Sequence, residues 1–564
     1  MNDLIALIPP KFRRRGLFVA CTLLLRAILN LVGLAVLLPV LALVLDPAWI
    51  ENQSILTEIY HALGFESTRH FAIAISIGVV CVILLKGLIN MYLIQIENHY
   101  VLNLYRALSR KLFTAYHLKG LSFIKRSNSA MLTRNVNFVC LQFVAGVLSP
   151  IAAITAEALL FILLFAALLW YAPWGALLSV ALFVPTMWLY YVLVRHRMDH
   201  YGQDENKAQR EKMRLVAETF RGYSDIEING AFPHMLQQFD ESMNRIIDIR
   251  LRNSLIQSLP SNLTEIVLAL GMALLVGVSL GENATDARLL FGVFAVAALR
   301  LMPSVRSILS SWTAIRYNRY AIEILREAPI DTDPDTEEDA SQKLPFEVSI
   351  SVEHLDFRFE DSTEDLFHDL SLTIHKGERV GIRGSSGAGK TTLFNLLLGL
   401  YTPSAGSIKI DGQPLTPQNK HQWQRRIGYV SQNLFLADAS FAANVALGIP
   451  EEKIDRSRVT QALEAAQLND FIQTLDKGMD TRIGECGCRL SGGQCQRIGI
   501  ARALYRNADI LFFDEATSAL DAQTEEEVNR AIQRVAQAHE GLTIVVIAHR
   551  ESTLEYCQRI ITLE

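Results

Sequence analysis

Two regimes of apolar patterning divide the chain. Before about residue 315 the apolar residues fall in long blocks; beyond it they alternate with polar ones, as in a mixed soluble domain. Six blocks reach the roughly 20 mainly apolar residues that a bilayer-spanning helix needs. They cover residues 17–45, 71–96, 143–170, 174–194, 258–280 and 287–312. Only Tyr171, Ala172 and Pro173 separate the third from the fourth, so that turn is tight. The fifth opens after Pro260, and residues 281–286 join it to the sixth. Such blocks have no polar face to spare for water, which argues against a soluble helical bundle. The first block is also far longer than the core of a secretory signal, and no A-x-A-like site ends it, so it reads as a span.

Between spans two and three the apolar positions recur at i, i+3 and i+4, as in Leu104, Leu108, Leu112 and Phe113. The segment between spans four and five is similarly helix-like. Both predict membrane helices that continue well past the bilayer and turn back near 119–126 and 223–232. Lys and Arg set the orientation. Arg13, Arg14 and Arg15 precede the first span, and Arg106, Arg110, Lys111, Lys119, Lys125, Arg126 and Arg134 lie between spans two and three. The opposite loops carry mostly acids: Asp46, Glu51, Glu58, Glu66, Glu282 and Asp286. Both termini are therefore expected on the cytoplasmic side. A charged stretch with Asp331, Asp333, Asp335, Glu337, Glu338 and Asp339 suits a solvated linker. The expected organisation is a six-helix transmembrane domain over 1–326, a linker over 327–344 and a soluble α/β domain over 345–564.

The net charge of −5 gives no case for a nucleic-acid partner. The seven cysteines are scattered, and the Cys486-x-Cys488 pair lacks the second ligand pair usual for zinc.

The soluble half carries a dense nucleotide signal. Gly384-Ser385-Ser386-Gly387-Ala388-Gly389-Lys390-Thr391-Thr392 matches GxxxxGK[ST], between a strand-like run, 379–382, and a helix-like run, 393–400. Glycines let backbone N–H groups approach phosphates and the helix N-terminus adds a favourable dipole; Lys390 is expected to reach the β- and γ-phosphates, and Thr391 to be a ligand for Mg²⁺. Downstream, four apolar residues lead into Asp514 and Glu515. Asp514 sits where a carboxylate would hold the metal, and Glu515 where one would polarise the attacking water.

Leu490-Ser491-Gly492-Gly493-Gln494 resembles the signature motif of ATP-binding-cassette (ABC) proteins, and six spans before one cassette resemble an exporter-type half-transporter. The resemblance implies a P-loop nucleotide-binding domain with a helical subdomain, and further roles by matching motif. Gln432 would sense Mg²⁺, with Thr391 and Asp514 as the other metal contacts. His549 would touch the γ-phosphate, and Phe359 would stack on adenine where Tyr is usual. Residues 518–521 resemble the D-loop, and 481–485 the segment that reports nucleotide state. Ser491, Gly492, Gly493 and Gln494 would complete the site of an opposite cassette, which implies a dimer. Intact motifs favour a homodimer. Cys495 and Glu551 depart from the common pattern.

Ionisable residues inside the blocks are the clues to cargo. They include Lys86, Glu157, Glu265, Arg300 and Arg306. The run 299–304, Lys86 before Gly87, Glu157, Glu265 and an amphipathic outer segment over 55–63 are similar to bacterial lipid-linked oligosaccharide flippases. Ser261 departs from them, since they place a basic residue there. A substrate cavity at Lys86, Glu265, Arg300 and Arg306 is expected, with a lipid-linked glycan or similar anionic amphiphile as substrate. Peptides, drug-like molecules and other lipids remain alternatives. The expected setting is a bacterial cytoplasmic (inner) membrane, among membrane lipids. A soluble cassette is excluded by the spans, and an ATP-gated regulator would need extra segments that are not evident.

Overall fold

The computed structural model describes residues 2–36, 68–171, 173–279, 284–327, 343–484, 487–515, 541–548 and 557–563, with scattered positions over 523–537 and at 554–555. The chain separates into two compact units: Met1–Lys119 with Phe123–Pro334, and Gly120–Ser122 with Asp335–Glu564.

The first unit is helical. Its long helices are α1 (Pro10–Ala35), α2 (Thr68–Leu118), α3 (Ser149–Tyr171), α4 (Pro173–Arg221), α5 (Phe232–Ser279) and α6 (Ala284–Tyr317). The described part of each expected span falls mainly on one of them; residues 37–45 of the first span lie outside the described residues, and the third opens ahead of α3, across the π-helical turn Val144–Leu148. α2, α4 and α5 contain 51, 49 and 48 residues. At 1.5 Å per residue each is roughly 70–77 Å long, against a hydrocarbon core of about 30 Å, so over half of each projects beyond a bilayer. The turns at their tips are built around short helices, Gly120–Arg126 and Tyr223–Ile228.

Two described stretches, Ile73–Leu118 and Ser129–Ala166, are long and apolar enough on their own to cross a membrane. The other four expected spans each include side chains outside the described residues. On α2, Leu88 and Met91 are 66% and 70% exposed. A largely apolar helix with its sides uncovered demands an apolar surrounding, because water would charge about 25 cal/mol for each Å² left bare. The buried side of the unit is a true core: Leu160, Leu164, Tyr190, Met198, Leu301 and Val305 close together where α3, α4 and α6 meet.

Prolines interrupt α4, α5 and α6 at Pro185, Pro260 and Pro303. Pro260 has no N–H, so the Ile256 carbonyl one turn back loses its helical donor. Tyr190 replaces it: its hydroxyl donates to Ile256 O at 3.2 Å and lies 2.9 Å from Thr313 Oγ1. In an apolar medium that replacement is obligatory, since no water is available.

The second unit has two sheets. Antiparallel β1 (Ser349–Phe357), β2 (Phe367–His375), β4 (Ala405–Ile410) and β5 (Gln413–Pro414) run in the order β2-β1-β4-β5. The other sheet is parallel, in the order β6-β7-β8-β3-β9, from β3 (Arg379–Gly384), β6 (Ile427–Val430), β7 (Ile510–Asp514), β8 (Thr543–Ile547) and β9 (Arg559–Leu563). β7 and β8 are buried at every position, as continuous apolar runs in a parallel sheet should be. Short helices over 441–473, including Arg456–Ala465, pack with α8 (Gly492–Tyr505) around Phe441, Val459, Leu463 and Ile498 as a helical layer.

Candidate functional site

Ligands of a parallel sheet bind beyond the carboxyl ends of its strands, and the glycine-rich loop, Gln432, Asp514 and Glu515 collect there. β3 runs into the glycine-rich loop, and α7 (Lys390–Leu397) starts directly after it. Gly387 and Gly389 have φ of +91° and +83°, which side chains resist. A Cβ on Gly389 would also fall 2.7 Å from the Phe367 ring. The loop thus presents bare backbone around Lys390, whose buried Nζ donates to Gly384 O and Ser385 O, both at 2.9 Å.

β7 ends on Asp514, buried, with Thr391 Oγ1 donating to its Oδ1 at 3.3 Å. Glu515 follows with a φ of +48°, a strained conformation for a non-glycine residue. Gln432, just past β6, donates Nε2 to Glu515 Oε2 at 2.8 Å. A phosphate loop, a hydroxyl beside a buried carboxylate and an amide-held glutamate therefore share one sheet edge. Phe359, 38% exposed, packs T-shaped with Phe357 and Tyr401, with ring centroids 5.0 and 5.9 Å away.

At the start of α8, Ser491 and Gln494 form a reciprocal cap: Gln494 N donates to Ser491 Oγ at 3.3 Å, and Ser491 N donates to Gln494 Oε1 at 2.9 Å. The cap fixes the N-terminus of a 14-residue helix, where a Cβ on Gly492 would meet nothing within 4 Å. The result is an open, electropositive helix end. His549, Ser518 and Asp521 lie outside the described residues, as does Glu485.

Residues 23–299 match the family description "ABC transporter transmembrane region", and residues 367–518 match "ABC transporter". The ATP-dependent lipid A-core flippase of Ralstonia nicotianae is 31% identical over 481 residues, covering 84% of this chain and 79% of that protein. The chain belongs to the ABC transporter family. The protein of the same name from Cupriavidus metallidurans is 31% identical over 506 residues, 87% of this chain and 82% of its own length. A solved bacterial Atm1-family ABC exporter with ATP bound aligns with a TM-score of 0.77 over 98% of this chain and 93% of that one, at 23% identity. That likeness fixes an exporter-type fold. This ABC transporter is accordingly a multi-pass membrane ATPase whose ATP hydrolysis is coupled to transport.

The membrane residues singled out by sequence part company. Glu265 and Arg306, both exposed, line one cavity of about 460 Å³ with Ser261, Thr264 and Ser307. Lys86 is elsewhere: its side chain crosses Gly33, where a Cβ would fall 2.5 Å from Nζ. Glu157 Oε2 accepts from Ser304 Oγ at 2.7 Å, a contact within the α3–α6 packing. The side chain of Arg300 lies outside the described residues.

Sequence reasoning gave no role to Tyr429 or Tyr401. Tyr429 OH donates to Asp514 Oδ2 at 3.4 Å, and burial, with the Asp514 carboxylate beside it, pushes its phenol well above the ordinary value. The only signal was its place one residue before the end of β6; the pairing of β6 with β7 brings it to the site. Tyr401 completes the aromatic wall behind Phe359, far from it in sequence.

Proposed function

We propose that this ABC exporter is an ATP-driven flippase for an anionic lipid-linked glycan. The observation that carries the reading is its set of relatives at 31% identity, named for lipid A-core and matched over more than three quarters of their length. The cavity holding Arg306 supports it, because a guanidinium in a membrane-embedded cavity attracts a phosphorylated headgroup while the lipid tail stays in the bilayer.

In this reading residues 1–326 carry the path, 327–344 link, and 345–564 hydrolyse ATP. Both termini are cytoplasmic, and the setting is a bacterial inner membrane. Adenine stacks on Phe359, and the loop from Gly384 to Thr392 wraps the phosphates. Lys390 exchanges its two loop carbonyls for the β- and γ-phosphates. Thr391, Asp514 and Gln432 fit Mg²⁺, since hydroxyl, carboxylate and amide oxygens are the hard donors it takes, and Thr391 Oγ1 stands 3.3 Å from Asp514 Oδ1. When bound, Mg²⁺ neutralises phosphate charge. Glu515 orients the attacking water and draws its proton, and Gln432 positions that carboxylate from 2.8 Å. His549 contacts the γ-phosphate. Ser491 to Gln494 cap the γ-phosphate held by a second copy, so the working form is a homodimer. ATP joins the two cassettes, the long helices close, the cavity opens outward, and hydrolysis resets it.

The test is ATPase activity of reconstituted protein across lipid-linked glycans, peptides and drug-like amphiphiles. Stimulation by the lipid-linked glycans is expected. Stimulation confined to peptides or drugs would overturn the cargo while leaving the ATPase assignment intact.

A further inference from the structure

A second cavity, about 630 Å³, lies between the first turns of α1 and the middle of α2. Its two cations, Arg14 and Arg15, are consecutive, and neither forms an ion pair among the described residues. Their neighbour Arg13 is used differently: it donates Nε to Ile8 O at 2.9 Å and Nη2 to Ala6 O at 3.3 Å, tying down the short helix Asn2–Leu7. One arginine of the triplet is therefore structural, and two face the cavity.

No carboxylate lines that cavity among the described residues. Glu97, on the facing stretch of α2, is taken by Arg26, whose Nη1 lies 2.8 Å from its Oε2. The cavity walls are instead aromatic and amide groups, including Phe18, Tyr92, Tyr100 and Gln95. The two helices are pinned together beside it. Tyr100 OH donates to Phe12 O at 3.2 Å, and a Cβ on Gly16 would fall 2.9 Å from the Tyr100 hydroxyl, so α1 and α2 cross closely there.

Phe18 and Tyr92, 61% and 65% exposed, continue into the bare apolar side of α2 at Leu88 and Met91. Cations at one end, exposed aromatics in the middle and an uncovered aliphatic face at the other reproduce the layering of a membrane surface from headgroup to acyl chain. Arginine binds phosphate through paired N–H donors, and its stem lies readily along apolar surface.

We infer that this groove is a binding site for an anionic glycerophospholipid of the bilayer, its phosphate held by Arg14 and Arg15 and its chains laid along Phe18, Tyr92 and α2. The occupant is lipid because the apolar end of the groove continues onto the exposed apolar side of α2 at Leu88 and Met91, and anionic because two guanidiniums without an ion pair among the described residues meet no acid. Which leaflet it meets rests on the proposed cytoplasmic termini; the site itself does not depend on the cargo.

Native mass spectrometry of the full-length protein in detergent, titrated with phosphatidylglycerol and with phosphatidylcholine, tests this. Saturable preference for phosphatidylglycerol is expected. Arg14→Gln/Arg15→Gln should weaken it by about thirtyfold, from the loss of two headgroup-facing charges. Arg14→Lys/Arg15→Lys should retain most of it. Lys11→Gln/Arg106→Gln, which removes equal charge outside the groove, should leave it unchanged. An equal fall in that control would show diffuse surface charge instead and overturn the site. So would the absence of any headgroup preference, or displacement of the lipid by free glycerol phosphate at matching concentration. Basal ATPase activity, measured in parallel, separates a failed lipid site from a failed transporter. Cysteine labelling of the N-terminus from either side tests the leaflet independently.

Discussion

Asp514 in the cassette is buried, and each of its carboxylate oxygens accepts from a neighbouring hydroxyl, Thr391 on one side and Tyr429 on the other. Glu265 and Arg306 in the membrane unit are exposed to a cavity of about 460 Å³ and share it with small hydroxyl residues. The first pair of surroundings fixes a group to within one geometry, as phosphoryl transfer demands. The second leaves room, which suits the proposed passage of a bulky amphiphile. One chain thus pairs a closely held carboxylate in the cassette with a roomy cavity in the membrane unit.

Four substitutions bear on that contrast. Glu515→Gln should lower ATP turnover by about 10²–10⁴-fold while nucleotide still binds, read by phosphate release beside a binding titration. Turnover left intact would remove Glu515 from the chemistry. Gly389→Ala should weaken nucleotide binding on the order of tenfold to a hundredfold, because a side chain there meets both a φ of +83° and the Phe367 ring. Unchanged affinity would show that the loop is not rigid. Arg306→Ala should abolish stimulation of ATPase by substrate and spare the basal rate; persistence of stimulation would move the path elsewhere. Tyr429→Phe should cost about 1 kcal/mol of cassette stability in denaturant titrations. The phenol's pKa is raised in the folded state, so its contribution is full below its ordinary value near 10 and declines only above it. The difference from wild type should therefore be the same from about pH 7 to pH 9; a difference that changes across that window would contradict the neutral, donating phenol.

The nucleotide site was legible because its parts are contiguous in sequence. The loop from Gly384 to Thr392 and the Asp514-Glu515 pair each carry their own strand or helix context, so a linear reading finds them. Tyr429, Tyr401 and Phe367 were not legible, since each reaches the site through strand pairing or ring packing between distant segments. The helices were legible from apolar length, yet Tyr190 serving the carbonyl freed by Pro260 was not, for the same reason. In the membrane unit the sequence offered charges without neighbours. Lys86, Glu157, Glu265 and Arg306 look alike as ionisable residues in apolar runs. Only packing distinguishes Glu157 held by Ser304, and Lys86 laid across Gly33, from the two that share a cavity. The arginine triplet repeats the lesson: it reads as a uniform orientation signal, while the fold commits Arg13 to local carbonyls and turns Arg14 and Arg15 to a groove.

The most direct test of the account is movement of a fluorescent lipid-linked glycan in proteoliposomes, followed by quenching from one side only. ATP should drive the label across for the wild type, and Glu515→Gln should hold it in place. Equal movement with and without ATP, or undiminished movement in the variant, would contradict coupling of this site to transport.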